Sequence, residues 1–292
     1  VTLTDEQRAE LARALMLQSP PGELLQVASD VRVLLKDDAL LNSVALDVFR
    51  EYNTEHMVAV SLPESSGQFL ITKAGELDAV QYLNPKRNQV VSVDHIKQSC
   101  TGVRPAEEHE TTPEIMRSLR GAVDDELSSY ASEYFPSAEV AVYGNLKSGK
   151  SATQSQRLTM CVSSAKFNPR NYWNGRWRSL WVATLNPTFG EWLLKGSIKV
   201  CAHYFEEGNV QLDTKHAHEC MVPSKDPVAD AAALVKVIRQ EEQSFINKMG
   251  ETYISFSEGP FKELRRTLPV TRTKFPWSNK AHSLASELKR AK

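Results

Sequence analysis

About thirty residues between Asp226-Pro227 and Gly259-Pro260 carry one amphipathic stripe with no internal proline, directly after some eighty residues patterned as strands. No other feature restricts the fold so tightly. As a helix the run is a rod of about 45 Å, whereas five strands side by side span only about 24 Å. A rod crossing such a sheet projects past it by nearly the width of another. If the rod does cross the strands, that overhang predicts a partner subunit.

The strand pattern reads as AEVAVYG, QRLTMCVSS, WRSLWVATL, LLKGSIKVCAHYF and VQLDTKHAHEC, an antiparallel meander over 138–220 with a hairpin turn at Glu206-Glu207-Gly208-Asn209. Even spacing puts Trp173, Trp177 and Trp181 on one sheet face, where large aromatics can pack a helix. In the rod, Asp226 is the expected cap, and Val228, Ala231, Val235, Ile238, Phe245, Met249 and Phe256 form the stripe.

Upstream, Thr4-x-x-Gln7 resembles a capping box, followed by Leu11 and Leu15. Beyond the Ser19-Pro20-Pro21-Gly22 breaker come two further stripes, Leu24, Val27, Val31 and Leu34, then, opened by Asp37-Asp38, Leu41, Val44, Val48 and Tyr52. These predict a small helical bundle. From Met57 the period shortens to two, giving VAVSL, QFLITK, VQYL and QVVSV. A polar linker over 102–112 then leads into a helix capped by Thr112, with Ile115, Leu119, Val123, Leu127 and Tyr130 facing inward. The fold class is α+β. Four regions are expected: 1–56 helical, 57–111 short strands and linker, 112–258 helix, antiparallel sheet and long crossing helix, and 259–292 a C-terminal amphipathic arm.

Hydrophobic residues are 41% of the 292 and charged residues 24%, as in ordinary globular domains, and no apolar run is long enough for a membrane helix. The N-terminus lacks a signal-peptide layout, and Cys100, Cys161, Cys201 and Cys220 form no C-x-x-C pair. Both features point to a reducing, cytoplasmic setting. Net charge is −1, but residues 261–292 contain nine basic and two acidic side chains. That +7 arm leaves −8 on the rest and calls for an anionic partner. Its cations are interleaved with Leu264, Leu268, Val270, Phe275 and Trp277, and Trp277, Ala281, Leu284 and Leu288 form a final stripe. Charge to steer encounter and apolar anchors to hold it suit an interface.

Two chemical motifs fail on context. Gly144-Asn-Leu-Lys-Ser-Gly149-Lys150-Ser151 matches a nucleotide-binding P-loop, yet the segment after it is strand-like, so no helix N-terminus would face the phosphates. Loss of ATP binding in Lys150→Ala would be its signature. Cys201, His203, His216, His218 and Cys220 would share one hairpin face, but structural zinc sites use closer knuckles, and no metal is expected. No catalytic triad or paired carboxylates stand out. Nucleic-acid binding by the arm is the other alternative, with steep salt dependence as its mark.

The stretch LRRTLPVTRTKFPW (264–277) resembles the C-terminal signature of the F-actin capping protein alpha subunit. PPGE (20–23), DVRVLL (30–35), NYWNGRWRS (171–179) and HYFEEGNVQL (203–212) match the same family in order along the chain. The resemblance implies a protein of the cytoplasmic actin cytoskeleton with no enzymatic activity, no cofactor and no nucleic-acid partner. It implies a heterodimer with a capping protein beta subunit, whose sheet completes this one. That heterodimer binds the barbed end of an actin filament independently of calcium and blocks subunit addition and loss. Anionic phosphoinositides and inhibitory regulatory proteins are further implied partners. The actin-binding residues implied are Lys262, Arg265, Arg266, Leu268, Arg272, Lys274, Trp277, Leu284 and Leu288. Lys262, Arg266 and Arg272 are the positions matched to the basic residues that weigh most in capping.

Overall fold

The computed structural model of the protein describes residues 3–63, 67–135, 137–147, 155–206 and 209–258. The chain divides into two compact units, Val1–Arg239 and Gln240–Lys292. In the first, helices α1 (Asp5–Leu17), α2 (Leu24–Leu35) and α3 (Asp38–Glu55) come first. Short strands β1 (Ala59–Ser61), β2 (Gln68–Leu70), β3 (Gln81–Asn84), β4 (Gln89–Asp94) and β5 (Ser99–Pro105) follow. Then come α4 (Glu114–Tyr134) and five long strands: β6 (Ala138–Lys147), β7 (Ser155–Asn168), β8 (Trp173–Asn186), β9 (Glu191–Tyr204) and β10 (Val210–Pro223). Helix α5 (Pro227–Glu258) completes the order. The second unit, in its described part, is the continuation of α5 to Glu258.

The caps form where the sequence places them. Thr4 and Gln7 close a reciprocal capping box on α1, Asp37 accepts the Leu40 amide, and Asp226 accepts the Val228 and Ala229 amides. Helix α4 differs. Its cap is Pro113, which offers no side-chain acceptor, and Thr112 is buried beside the sheet. The inward stripe also starts at Met116, with Ile115 exposed. The cause lies on β6, where Gly144 has no side chain and a Cβ there would stand 3.3 Å from the Met116 Cβ. Part of the expected linker is strand, because β5 pairs residues 99–105 with β4 although its side chains are mostly polar and half-exposed.

The five long strands form one antiparallel sheet in the order β10-β9-β8-β7-β6. Trp173, Trp177 and Trp181 share one of its faces, together with Leu158, Met160, Leu194 and Ile198. Trp177 lies 5.0 Å, ring to ring, from Phe135 at the end of α4. Gly196 pairs with Trp181, and the indole lies so close that a Cβ on Gly196 would be 2.0 Å from it. The start of α5 is held by buried Asp230, which accepts Trp192 Nε1 at 2.8 Å, the Ser224 hydroxyl and the Lys225 amide. By Arg239 the helix has reached α4, where the guanidinium bonds the Tyr134 hydroxyl and stands over its ring. The first thirteen residues of α5 thus run from β9 to the helix that covers β6, across the strands.

The opposite face carries the short-strand region and the N-terminal helices. Ala141, Tyr143 and Cys161 pack with Leu70 and Leu83, and Thr72 bonds the Tyr143 hydroxyl at 2.8 Å.

Candidate functional surfaces

Lys262, Arg265, Arg266, Leu268, Arg272, Lys274, Trp277, Leu284 and Leu288 all lie outside the described residues. So do Lys150 and Ser151 of the P-loop-like segment, which β7 follows as a strand. The described part of the molecule is therefore the platform that ends at Glu258.

On that platform three of the sequence motifs meet. Glu23 of PPGE accepts the Asn174 side-chain amide at 2.8 Å and lies 2.7 Å from Nδ1 of His203; Nε2 of His203 lies 3.0 Å from Asn209. Asn174 belongs to NYWNGRWRS, and His203 and Asn209 to HYFEEGNVQL. The cluster ties the α1–α2 turn to one end of the sheet. Nearby, the Tyr52 hydroxyl donates to the Ser19 and Pro20 carbonyls, and its ring stacks on His56 at 3.9 Å.

Between these helices and the sheet lie two buried arginines. Arg178 donates 2.6 Å to the Glu55 carbonyl and 3.4 Å to the Cys201 thiol, while its Nε has no hydrogen-bond partner. Arg176 stands over the Phe167 ring, and its NH1 is likewise unsatisfied. Neither forms an ion pair with a carboxylate among the described residues. Burial and the nearby Arg178, Arg176 and Lys199 push the His56 imidazole down to about 2, so it is neutral. Burial also pushes the Tyr52 phenol up to about 12 and raises the Cys201 thiol, which donates to Asp213 at 2.7 Å. No periodicity argument anticipates this cluster. A strand with a buried arginine and one with none show the same alternation, so only the doubling Arg-x-Arg in NGRWRS was a possible signal.

The histidine–cysteine set is divided. Cys201 pairs with Asp213 and His216 with Ile198, and paired residues of antiparallel strands share a face. Cys201 and His203 therefore look toward the N-terminal helices, and His216, His218 and Cys220 toward the tryptophans, with His218 6.4 Å from Trp181. The sheet itself separates the five residues, so they cannot share one ion.

Two surfaces stand open among the described residues. Strand β10 is an edge of fourteen residues whose sole neighbour among the described strands is β9. The helices also expose apolar side chains. The inward residues of α1 are Ala12 and Met16, so the expected Leu11 and Leu15 are half-exposed, because the adjacent stripe with the small Ala12 packs into the helical core instead. Leu34, expected inside, is 74% exposed beside Val33 at 69%, with Leu25 and Leu46 also outward. No helix among the described residues is long and apolar enough to cross a membrane.

Comparison with known proteins agrees along the whole length. The family profile described as F-actin capping protein alpha subunit matches residues 12–287. The F-actin-capping protein subunit alpha of Dictyostelium discoideum is 38% identical over 286 residues, 98% of this chain and 99% of that one. Its Arabidopsis thaliana counterpart is 35% identical over 280 residues, 95% and 90% of the two chains. The fold matches the solved structure of the homodimeric actin capping protein alpha subunit from Plasmodium berghei at a TM-score of 0.71. That match has 19% identity and covers 84% of this chain and 92% of the other. With its five-stranded sheet, crossing helix and ordered motifs, this chain belongs to the F-actin capping protein alpha subunit family.

Proposed function

We propose that the chain works as the alpha subunit of a heterodimer that caps the barbed ends of actin filaments, without calcium and without catalysis, in the cytoplasm. The observation that carries this reading is the family match over residues 12–287, which includes the LPVTRT segment of the arm. A beta subunit is the natural cover for the β10 edge and for the outward leucines of α1 to α3. An edge of that length otherwise invites indiscriminate pairing, and apolar helix faces of that extent are unusual on a solitary domain.

In this reading the +7 arm steers the dimer to an acidic filament end. Lys262, Arg265, Arg266, Arg272 and Lys274 supply the charge, and Leu268, Trp277, Leu284 and Leu288 the apolar hold. Joint engagement of this arm and a second contact made by the beta subunit exceeds either alone by about 10²–10⁴ through effective concentration. Anionic phosphoinositides and inhibitory proteins would compete for the same charge. The test is barbed-end elongation from filament seeds with the chain co-expressed with a capping protein beta subunit. Elongation stopped at substoichiometric dimer is the expected result, and unhindered growth refutes the reading. A second reading, self-pairing, comes from the homodimeric Plasmodium structure; sedimentation of the chain alone distinguishes a defined dimer from aggregate.

A further inference from the structure

Across the three strands at the open side of the sheet, Arg178 on β8 pairs with Lys199 on β9, and Lys199 with Lys215 on β10. The three side chains share the face toward the N-terminal helices. Like charges placed directly opposite on adjacent strands repel one another, so such a rung needs counter-charge. Among the described residues Glu55 supplies it by pairing with Lys199, and Asp213 is the second carboxylate lining the same space. Lys215 forms no ion pair among the described residues, and Arg178, 4% exposed, has an orphaned Nε. Asp213, one rung away, is engaged by the Cys201 thiol. Behind the rung sits Arg176, also buried and without a carboxylate among the described residues.

A cavity of about 460 Å³ opens on this rung. The α1–α2 turn closes one wall with Leu17 and Pro20, and β10 the other with Gln211 and Thr214. The buried His56 ring, whose Nδ1 also finds no hydrogen-bond partner, faces the same space. The volume is that of a small-molecule site.

We propose that this cavity binds a small phosphorylated compound, its phosphate held by Arg178, Lys199 and Lys215. Arg178, Lys199 and Lys215 outnumber the two carboxylates that line the cavity, Glu55 and Asp213, and the buried Arg176 behind them adds a further cation, so the site stays positive and suits a phosphate monoester of about −1.5 to −2. Guanidinium and ammonium groups on one face of three adjacent strands suit a tetrahedral oxyanion. Gln211, on the same face as the rung, can bond the remainder of the ligand, and Leu17 and Pro20 give it an apolar floor. The site uses residues of this chain only and does not depend on the capping reading.

The test is thermal unfolding of the assembled protein, titrated with inorganic phosphate or glucose 6-phosphate at constant ionic strength. At ten times Kd either probe should raise Tm by about 1–2 °C, and the rise should continue with the logarithm of its concentration. A stronger response to the ester identifies a phosphorylated metabolite, and an equal one identifies the free ion; both support the site. Lys199→Gln with Lys215→Gln should weaken the response at least tenfold, while Lys97→Gln on a distant turn leaves it unchanged. Absence of that logarithmic rise in the unmodified protein overturns the proposal. So does an undiminished response in the double variant, which would place the phosphate on the basic arm. If Lys215→Gln instead dissociates the assembly and phosphate has no effect, a partner carboxylate fills the rung and the proposal fails.

Discussion

His203 and Glu23 lie 180 positions apart in the chain, yet Nδ1 of one is 2.7 Å from Oε1 of the other. The contact closes the α1–α2 turn onto the sheet, and Asn174 shares the same carboxylate oxygen. Glu23→Ala leaves two buried donors unmatched, so it should cost about 1–3 kcal/mol. Glu23→Gln, which keeps an acceptor, should cost less. Denaturant midpoints of the two variants give the comparison, and equal midpoints for Ala and the unmodified protein exclude a structural role.

Gly196→Ala should destabilise by about 1–3 kcal/mol, because its Cβ would sit 2.0 Å from the Trp181 indole. Trp181→Leu removes the obstacle. The double variant should then be more stable than the sum of the two losses allows, and thermal denaturation of all four proteins measures that coupling.

Stability should fall as pH drops below neutrality. Free imidazole takes a proton near 6.5, but in the folded protein His56 is held down to about 2, so below 6.5 the unfolded chain binds the extra proton. The contribution is complete above 6.5 and is lost at up to about 1.4 kcal/mol per pH unit on the way to about 2. His95, lowered by its own burial, acts in the same direction. His56→Gln should flatten the profile between pH 6.5 and 5; an unchanged slope assigns the effect elsewhere.

Lys262→Ala, Arg266→Ala and Arg272→Ala together should weaken barbed-end capping at least tenfold while leaving assembly with the beta subunit intact. Seeded elongation reads the first quantity and gel filtration the second. Equal capping by the triple variant would remove the arm from the mechanism.

Expressed without a beta subunit, the chain should aggregate or self-pair, since β10 and the leucines of α1 and α2 would remain uncovered. Co-expression should restore solubility. A soluble monomer at micromolar concentration would show that these surfaces need no partner.

Features that depend on near neighbours were legible in the chain's spacing alone. The caps at Thr4, Asp37 and Asp226, the alternation of five long strands, and the shared face of the three tryptophans all rest on separations of two to four residues. The ordered motifs also carried the family. Long-range packing, by contrast, chose which stripe of α1 turns inward, whether Ile115 or Met116 meets the sheet, and which histidines stand together. Those outcomes turn on the register between β9 and β10 and on how closely helices approach glycine positions such as Gly144. The buried Arg178 facing a cavity, with buried Arg176 beside it, belongs to the same class, because strand alternation assigns a residue to a face and says nothing of what covers it.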